Sequence, residues 1–560
     1  MAQVNGGRLF ARALKKEGVE QIFVLSGGHI MPIFYGCRAE GIKVIDVRHE
    51  MAAGYAADAY ARVSGKAGVL VTTAGPGILD TITAMGEALA QGVPVIHIGG
   101  GAPQGESETG PLQGQIDTVK VLSTVTKWSR RIYDTHRIPE YVSMAFRHAY
   151  NATPGPVYLE CATDVLKTMV EEDDIYYPEL YRTEAQPFGD PALIEQAADL
   201  LIQAKSPVMI LGDAARFTAQ YPEAIGELVD YLKIPVMSQV MCRGLFADED
   251  NPMFKIGGAS LPAADVVLML SVNNDYRVGK ARPPLFNPQA KLIQVNPDAS
   301  RIGYNAPAHI GIVGGATGVV KQILEVVKSK TAKKEDLSWV QKAGQMAQAA
   351  AQPYVEGFTS QELPMNPGRC AYEVSKFLET EGRDYTVICD GGDAAQWIKA
   401  AAKAHRPGQI VNYGPMGTIG TGAGFTLGAY CAAKKPVLYY TGDGSMGFYL
   451  MEFETFLKQG VPVVCVVSND SSWGMIKLSE QFSNPEEVKK GHIANELSYM
   501  FRYDRFPALW DGYGELVTDP EQIVPAIKRG FESGKPAIIN VEVDRHNMSP
   551  VTKSFGAPKK

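Results

Sequence analysis

Short, almost continuously apolar runs recur along the whole chain, at residues 21–25, 43–47, 68–72, 94–98, 157–160, 207–211, 266–270, 292–295, 387–389, 437–440, 463–467 and 537–541, and helix-period segments separate them. A strand that is apolar on both faces must be covered on both faces. Helices between successive strands supply that cover when the strands run parallel. The pattern predicts an α/β chain of doubly wound domains with parallel sheets. At 560 residues the chain exceeds what one core can organise. Two stretches break the rhythm: 168–190 is acidic and rich in Tyr and Pro, and 328–367 starts charged and continues polar and Ala/Gln-rich. Read as linkers, the second partly helical, they leave three units over 1–170, 190–328 and 367–545. Residues 546–560 are polar and lack an apolar period, which predicts a mobile tail or a lid.

Composition excludes several function classes. A net charge of −7 provides no basic field for nucleic acid or an anionic membrane. The purest apolar run, 461–467, is far too short to span a bilayer. The seven cysteines (Cys37, Cys161, Cys242, Cys370, Cys389, Cys431 and Cys465) are scattered, odd in number and form no CxxC pair. That argues against a disulfide framework and a structural zinc site, and points to a reducing compartment, with the cytoplasm as the expected location. Arg8, Arg12, Lys15 and Lys16 suggest a basic targeting helix, but Glu17 and Glu20 follow at once and the segment runs into a strand.

Chemistry concentrates where strands end. The run at 437–440 delivers Gly442-Asp443-Gly444-Ser445 into a turn, and the run at 463–467 ends at Asn469-Asp470. Parallel strands end on one sheet edge, so Asp443 and Asp470 can converge on one hard cation. Gly442 and Gly444 let the backbone come close, and amides at a helix start can cradle phosphate oxygens. Far upstream, the strand-like 43–47 ends in Arg48-His49-Glu50 before an Ala-rich helix, and Gly75-Pro76-Gly77 follows later. By itself Glu50 is an acid well placed in a first helical turn. A third glycine-rich segment, Gly414-Pro415-Met416-Gly417-Thr418-Ile419-Gly420, precedes the 437–440 run.

Together these motifs resemble the thiamine-diphosphate-dependent superfamily of acetolactate synthase, benzaldehyde lyase and 2-hydroxyacyl-CoA lyase. The likeness covers essentially residues 1–545, in the order pyrimidine-binding, central and diphosphate-binding domain. It implies a site for thiamine diphosphate and Mg²⁺, with Asp443, Asp470 and the carbonyl of Ser472 on the metal. Relatives carry Asn-Asn where this chain has Asn469-Asp470, which adds a negative charge; a register slip of one residue would instead offer Asn469. The likeness places Gly392, Asp393, Ala394, Gly442, Gly444, Ser445, Trp473, Gly474 and Met475 around the diphosphate end, and Gly75 on the pyrimidine side. Glu50 becomes the carboxylate facing the aminopyrimidine. Ile419 becomes the wedge between the cofactor's rings, with Met416 the alternative, and the Gly417 carbonyl faces the amino group.

The nearest local likeness is to benzaldehyde lyase and bacterial 2-hydroxyacyl-CoA lyase. Ser26-Gly27-Gly28-His29 and Pro111-Leu112-Gln113-Gly114 place His29 and Gln113 where those enzymes carry active-site residues. The resemblance implies a carbon–carbon lyase or carboligase acting on an aldehyde, ketone, 2-oxoacid or 2-hydroxyacyl-CoA. Acetolactate synthase or 2-oxoacid decarboxylase is the second enzyme reading, and an inactive ligand-binding relative the third; such a relative should have lost Glu50 or Asp443. It also implies a homo-oligomer, commonly a tetramer, with sites between subunits. The central segments at 211–213 and 273–284 fall where relatives bind FAD or the ADP part of coenzyme A. Arg277, Lys280 and Arg282 there are either phosphate ligands or a solvated loop. A GxGxxG fingerprint is absent at the start of this unit, which argues against NAD.

Overall fold

The computed structural model describes residues 3–556, apart from 184, 186, 219–221 and 248–250. Three parallel sheets carry the chain. In spatial order, the first is Lys43–Asp46, Gln21–Val24, Gly68–Thr72, Val95–Gly101, Val157–Ala162 and Trp128–Ile132. The central sheet has five strands, Val236–Ser238, Pro207–Leu211, Val266–Leu270, Lys291–Asn296 and Ile310–Val313. The last is Ile410–Asn412, Thr386–Cys389, Val437–Gly442, Val463–Asn469, Ala537–Glu542 and Gly514–Val517. The middle strands are buried along nearly their whole length, as both-face cover requires.

All twelve apolar runs are strands, with ends shifted by a few residues at most. The strands that the apolar pattern did not reveal are edge strands: Trp128–Ile132, Val236–Ser238, Ile310–Val313, Ile410–Asn412 and Gly514–Val517. Most bury less than the central strands and four have only three or four residues, so their apolar signal is weak. Residues 168–190 are not irregular throughout. Met169–Glu171 pairs antiparallel with Gln3–Asn5 and pins that stretch to the first unit. The 328–367 stretch contains the 22-residue helix Ser338–Thr359.

The first and last units share a core. Helix Glu50–Ser64 lies against helix Gly422–Ala433, with Tyr55 and Phe425 meeting edge to face at 5.8 Å. Glycine permits the approach: a Cβ on Gly424 would stand 2.6 Å from the Ala52 carbonyl oxygen, and one on Gly428 would collide with that of Ala56. Beside this seam, the Arg62 guanidinium holds Asp58 through two hydrogen bonds at 2.6 and 2.7 Å and donates to the Asn412 carbonyl at 2.7 Å. Arg62, Asp58 and Glu87 are all buried, so the cluster depends on this mutual pairing.

Candidate active site

Every strand of the last sheet ends on the same edge, and one cavity of about 880 Å³ opens there. It is lined by Gly392, Asp393, Ala394, Gly417, Ile419, Gly442, Asp443, Gly444, Ser445, Asp470, Ser472, Trp473, Gly474 and Met475. Four connections thus converge: those after Thr386–Cys389, Ile410–Asn412, Val437–Gly442 and Val463–Asn469. Ile419 faces this space, whereas Met416 lies outside it, half exposed and against Gly86.

Asp443 begins a four-residue helical turn and is 3% exposed. Burial and the neighbouring Asp470 carboxylate push its pKa well up, and burial pushes Asp470 up to about 6. Two buried acids facing each other need either protons or a cation. Asn469, in contrast, is spent on structure: its amide donates to Phe501 O and Asn540 Oδ1, and its oxygen accepts from the Ser471 amide. Ser471 adopts φ 56°, the left-handed turn between Asp470 and Ser472. The Ser472 amide donates to Asp470 Oδ1 at 3.0 Å. Among the described residues no three His, Cys, Asp or Glu side chains gather as a metal cluster. Two carboxylates beside the backbone of Ser472 are what this edge offers a metal, a donor set that would suit a hard cation keeping waters and phosphate oxygens.

Glycines keep the cradle open. A Cβ on Gly444 would stand 2.6 Å from the Trp473 ring, and one on Gly474 would strike Asp470. These observations fit a dication and a diphosphate: Asp443, Asp470 and Ser472 would hold the metal, and amides at 444–445 would meet phosphate oxygens.

The C-terminal segment, for which the sequence left a mobile tail or a lid open, lies against the cavity. It is not structureless: Pro550–Gly556 is a helix, preceded by a tight anchor on the cavity. Ser549 Oγ and Thr552 Oγ1 donate to Asp393 Oδ1 at 2.7 and 2.6 Å, and Arg545 Nε donates to the Asp470 carbonyl at 3.2 Å. Val551 and Ser554 line the cavity itself. Buried hydrogen-bond partners, invisible in hydropathy, order this polar segment.

The remaining predicted residues gather elsewhere, at the strand ends of the first sheet. Gly75 and Gln113 line a separate, smaller recess. A Cβ on Gly75 would stand 2.9 Å from the Gln113 carbonyl, and Gln113 itself takes φ 62°. His29 lies behind Gly100 of the same recess, with Nδ1 3.2 Å from Thr73 Oγ1. Burial lowers the His29 pKa, so its imidazole is neutral at pH 7. Glu50 is 7% exposed at the helix start, its Oε1 3.1 Å from where a Gly77 Cβ would stand. Burial raises its pKa, opposed by its own backbone amide. Glu452 orients that turn by accepting from the Arg48 and His49 amides at 2.9 and 3.0 Å. Neither Glu50, His29 nor Gln113 lines the cavity that holds Asp443.

Besides Asp58 and Glu452, two buried acids beside the cavity loops went unread in the sequence. Asp390 accepts from the amides of Gly391, Gly420 and Gly422 at 2.6, 3.0 and 2.9 Å. Glu87 accepts from the Gly414 amide and, at 2.9 Å, from Thr418 Oγ1. Together they fix the loop that carries Gly417 and Ile419. Asp390-Gly391-Gly392 after an apolar run was a readable signal; Glu87, inside an apolar helix, gave none. In the central unit Arg277 is occupied by Asp213 and Asp275 at 2.8 and 2.9 Å, and Arg282 donates to the Asn305 carbonyl. Arg277 is thus pinned by protein partners, whereas Lys280 and Arg282 are exposed.

Three parallel-sheet units, with an acid pair and a glycine-lined cavity at the edge of the last sheet, define a three-unit α/β protein with a cofactor-sized cleft. Models of the thiamine pyrophosphate enzyme family match all three units: the N-terminal TPP binding domain at residues 4–121, the central domain at 194–323 and the C-terminal TPP binding domain at 390–541. Over 544 residues the chain is 30% identical to a probable acetolactate synthase of Mycobacterium bovis, covering 97% of this chain and 96% of the relative. It is 28% identical over 586 residues to 2-hydroxyacyl-CoA lyase 2 of Homo sapiens (97% and 90% covered) and 26% over 557 residues to the human 2-hydroxyacyl-CoA lyase 1 (97% and 95%). The chain belongs to the thiamine pyrophosphate enzyme family. Among the described residues no helix is long and apolar enough to cross a membrane.

Proposed function

We propose that this enzyme is a carbon–carbon lyase or carboligase that cleaves or forms a 2-hydroxyacyl-CoA, or a related acyloin, from a one-carbon or aldehyde donor and an aldehyde or ketone. The observation that carries the reading is the anchored C-terminal segment: Ser549 and Thr552 grip Asp393 while Val551 and Ser554 wall the cavity. A roofed cavity of about 880 Å³ suits an elongated substrate better than a compact one. Bound thiamine diphosphate supplies a nucleophilic carbon and an electron sink for making or breaking a bond beside a carbonyl.

The chain's own residues do the rest. Asp443, Asp470 and the Ser472 carbonyl would hold Mg²⁺, and Ile419, on the loop fixed by Asp390 and Glu87, would pack against the cofactor. Glu50, buried and with its pKa raised by that burial, would hold a proton toward the pyrimidine side of the cofactor. His29, neutral at pH 7, and Gln113 orient substrate oxygens and pass protons at His29 Nε2. Since Glu50, His29 and Gln113 lie apart from the Asp443 cavity in one chain, a second copy completes each site, in a dimer or a dimer of dimers. Exposed apolar side chains beside both half-sites, Leu112 at 78% and Phe448 at 48%, favour such a partner.

Acetolactate synthesis is the competing reading, supported by the 30% identity to the mycobacterial relative. Assaying formyl-CoA with an aldehyde or ketone and 2-hydroxyacyl-CoA cleavage beside pyruvate condensation and benzaldehyde ligation separates them. Turnover of CoA thioesters is expected. Acetolactate as the sole product would overturn the lyase reading.

A further inference from the structure

One helix of the first unit and one loop of the last meet inside their shared core. Glu87, on helix Ile82–Gln91 and fully buried, accepts from the Gly414 amide and, at 2.9 Å, from Thr418 Oγ1. Those two donors flank the turn that brings Gly417 and Ile419 to the cavity. The approach is close: a Cβ on Gly414 would collide with the Glu87 carboxylate. Arg62 stands behind, its Nη2 3.5 Å from Glu87 Oε1, while the same guanidinium grips Asp58 and donates to the carbonyl of Asn412, where the strand leading into the loop ends. At its far end the loop is held by its own unit, through Asp390 and the amides of Gly420 and Gly422.

The first unit thus reaches two places at once. Helix Glu50–Ser64 carries Glu50 at its start, outside its own chain's cavity. Near its end the same helix carries Asp58 and Arg62, in the cluster that backs Glu87.

We propose that Glu87 is a positioning residue for the reaction: it sets the Gly417–Ile419 face of the cavity in its own chain, while Glu50 of the same unit serves the cavity of the partner subunit. The proposal rests on the reading that each site is shared between two subunits. Glu87→Ala leaves the Gly414 amide and the Thr418 hydroxyl without their acceptor. In the apoprotein, amide hydrogen exchange over 414–419 should then rise at least about tenfold. In the holoenzyme kcat should fall about ten- to a hundredfold, the cost of a small misplacement, while Asp443 and Asp470 still retain thiamine diphosphate and Mg²⁺. Glu87→Gln, which keeps an acceptor oxygen, should restore most of the rate. Thr418→Val spares the buried Asp58, Arg62 and Glu87 and should show a smaller loss, about three- to tenfold.

Subunit mixing separates positioning from general damage. Glu87→Ala mixed with Glu50→Ala should regain about a quarter of native activity, because each mixed dimer joins one unaltered last unit to one intact Glu50. Glu87→Ala mixed with Asp443→Ala should regain nothing, since each cavity then carries one of the two defects. Recovery with Asp443→Ala and none with Glu50→Ala would put the effect of Glu87 in the first unit's own half-site, and it overturns the proposal. Unchanged hydrogen exchange, or no recovery in either mixture, overturns it as well. If Glu50→Ala and Asp443→Ala chains fail to complement each other, the shared-site reading falls instead. Hydrogen exchange and the Thr418→Val rate then still decide whether Glu87 sets the loop.

Discussion

The first and last sheets have one topology and opposite chemistry. Numbered within each unit, both run in the order 2-1-3-4-6-5. Their third and fourth strands start in the same register, Gly68 opposite Val95 and Val437 opposite Val463. Counting six residues from the third-strand starts reaches Ala74 in one sheet and Asp443 in the other; counting seven from the fourth reaches Ala102 and Asp470. The same four connections thus bring an acid pair and a glycine-lined cradle together in one copy and a recess with Glu50, His29 and Gln113 around it in the other. The backbone supplies convergence, and two acids in place of two alanines decide what converges.

The largest effect should come from erasing that difference. Asp443→Ala or Asp470→Ala should weaken retention of thiamine diphosphate and Mg²⁺ by more than about a hundredfold, since outer-shell partners alone are worth 10- to 100-fold. Asp470→Asn should retain the cofactor. Equilibrium dialysis reads both, and a cofactor-saturated Asp470→Ala protein would remove that acid from the metal site.

Next comes the opposite half. Glu50→Ala should lower kcat by about 10²–10⁴ while the protein still binds the cofactor, because a proton-transfer group and not the anchor is lost. Near-native turnover would strip Glu50 of that role. Mixing Glu50→Ala with Asp443→Ala chains should regain about a quarter of native activity, as half the dimers are mixed and each has one intact site. No recovery after subunit exchange would place both halves of a site in one chain.

The smallest effect tests whether the two sheets answer acid alike. His97 and Cys465 stand at equivalent places, each third in its fourth strand. His97 is fully buried with Nε2 2.8 Å from Thr72 Oγ1, and burial lowers its pKa to about 3. Unfolded, it binds a proton near pH 6.5; folded, it stays neutral until about pH 3. Its contribution is therefore present above pH 6.5 and lost on acidification, at about 1.4 kcal/mol per pH unit between those limits. Burial raises the Cys465 thiol, so the last sheet has no counterpart to this loss. Acid unfolding should start in the first unit, and His97→Gln should flatten the slope by that amount in denaturant titrations at pH 4 to 6. An unchanged slope would exclude His97 as its source.

These contrasts also mark what was legible in the amino-acid order. Central strands announced themselves because burial on both faces leaves an uninterrupted apolar run, as at 463–467. Edge strands such as Gly514–Val517 carry no such constraint. Asp443 and Asp470 could be paired in advance, since parallel strands must end together. The anchoring of 545–556 could not: it depends on Ser549 and Thr552 meeting Asp393, more than 150 residues earlier, through hydrogen bonds that leave no period in the chain. The separation of Glu50 from Asp443 within one chain is a matter of how whole units stack, and only the resemblance, with its sites between subunits, implied it.

The glycine-lined seam between helices 50–64 and 422–433 has a consequence for biosynthesis. Ala56 and Gly428, which meet in the finished molecule, are 372 positions apart. At about 5–20 residues per second on the ribosome, the first helix waits roughly 20–75 s for its partner. Throughout that interval its close-packed Ala-rich face is naked, a sticky surface on a nascent chain. Productive yield in the cell should then depend on translation speed and on chaperones that shield this helix until the second arrives.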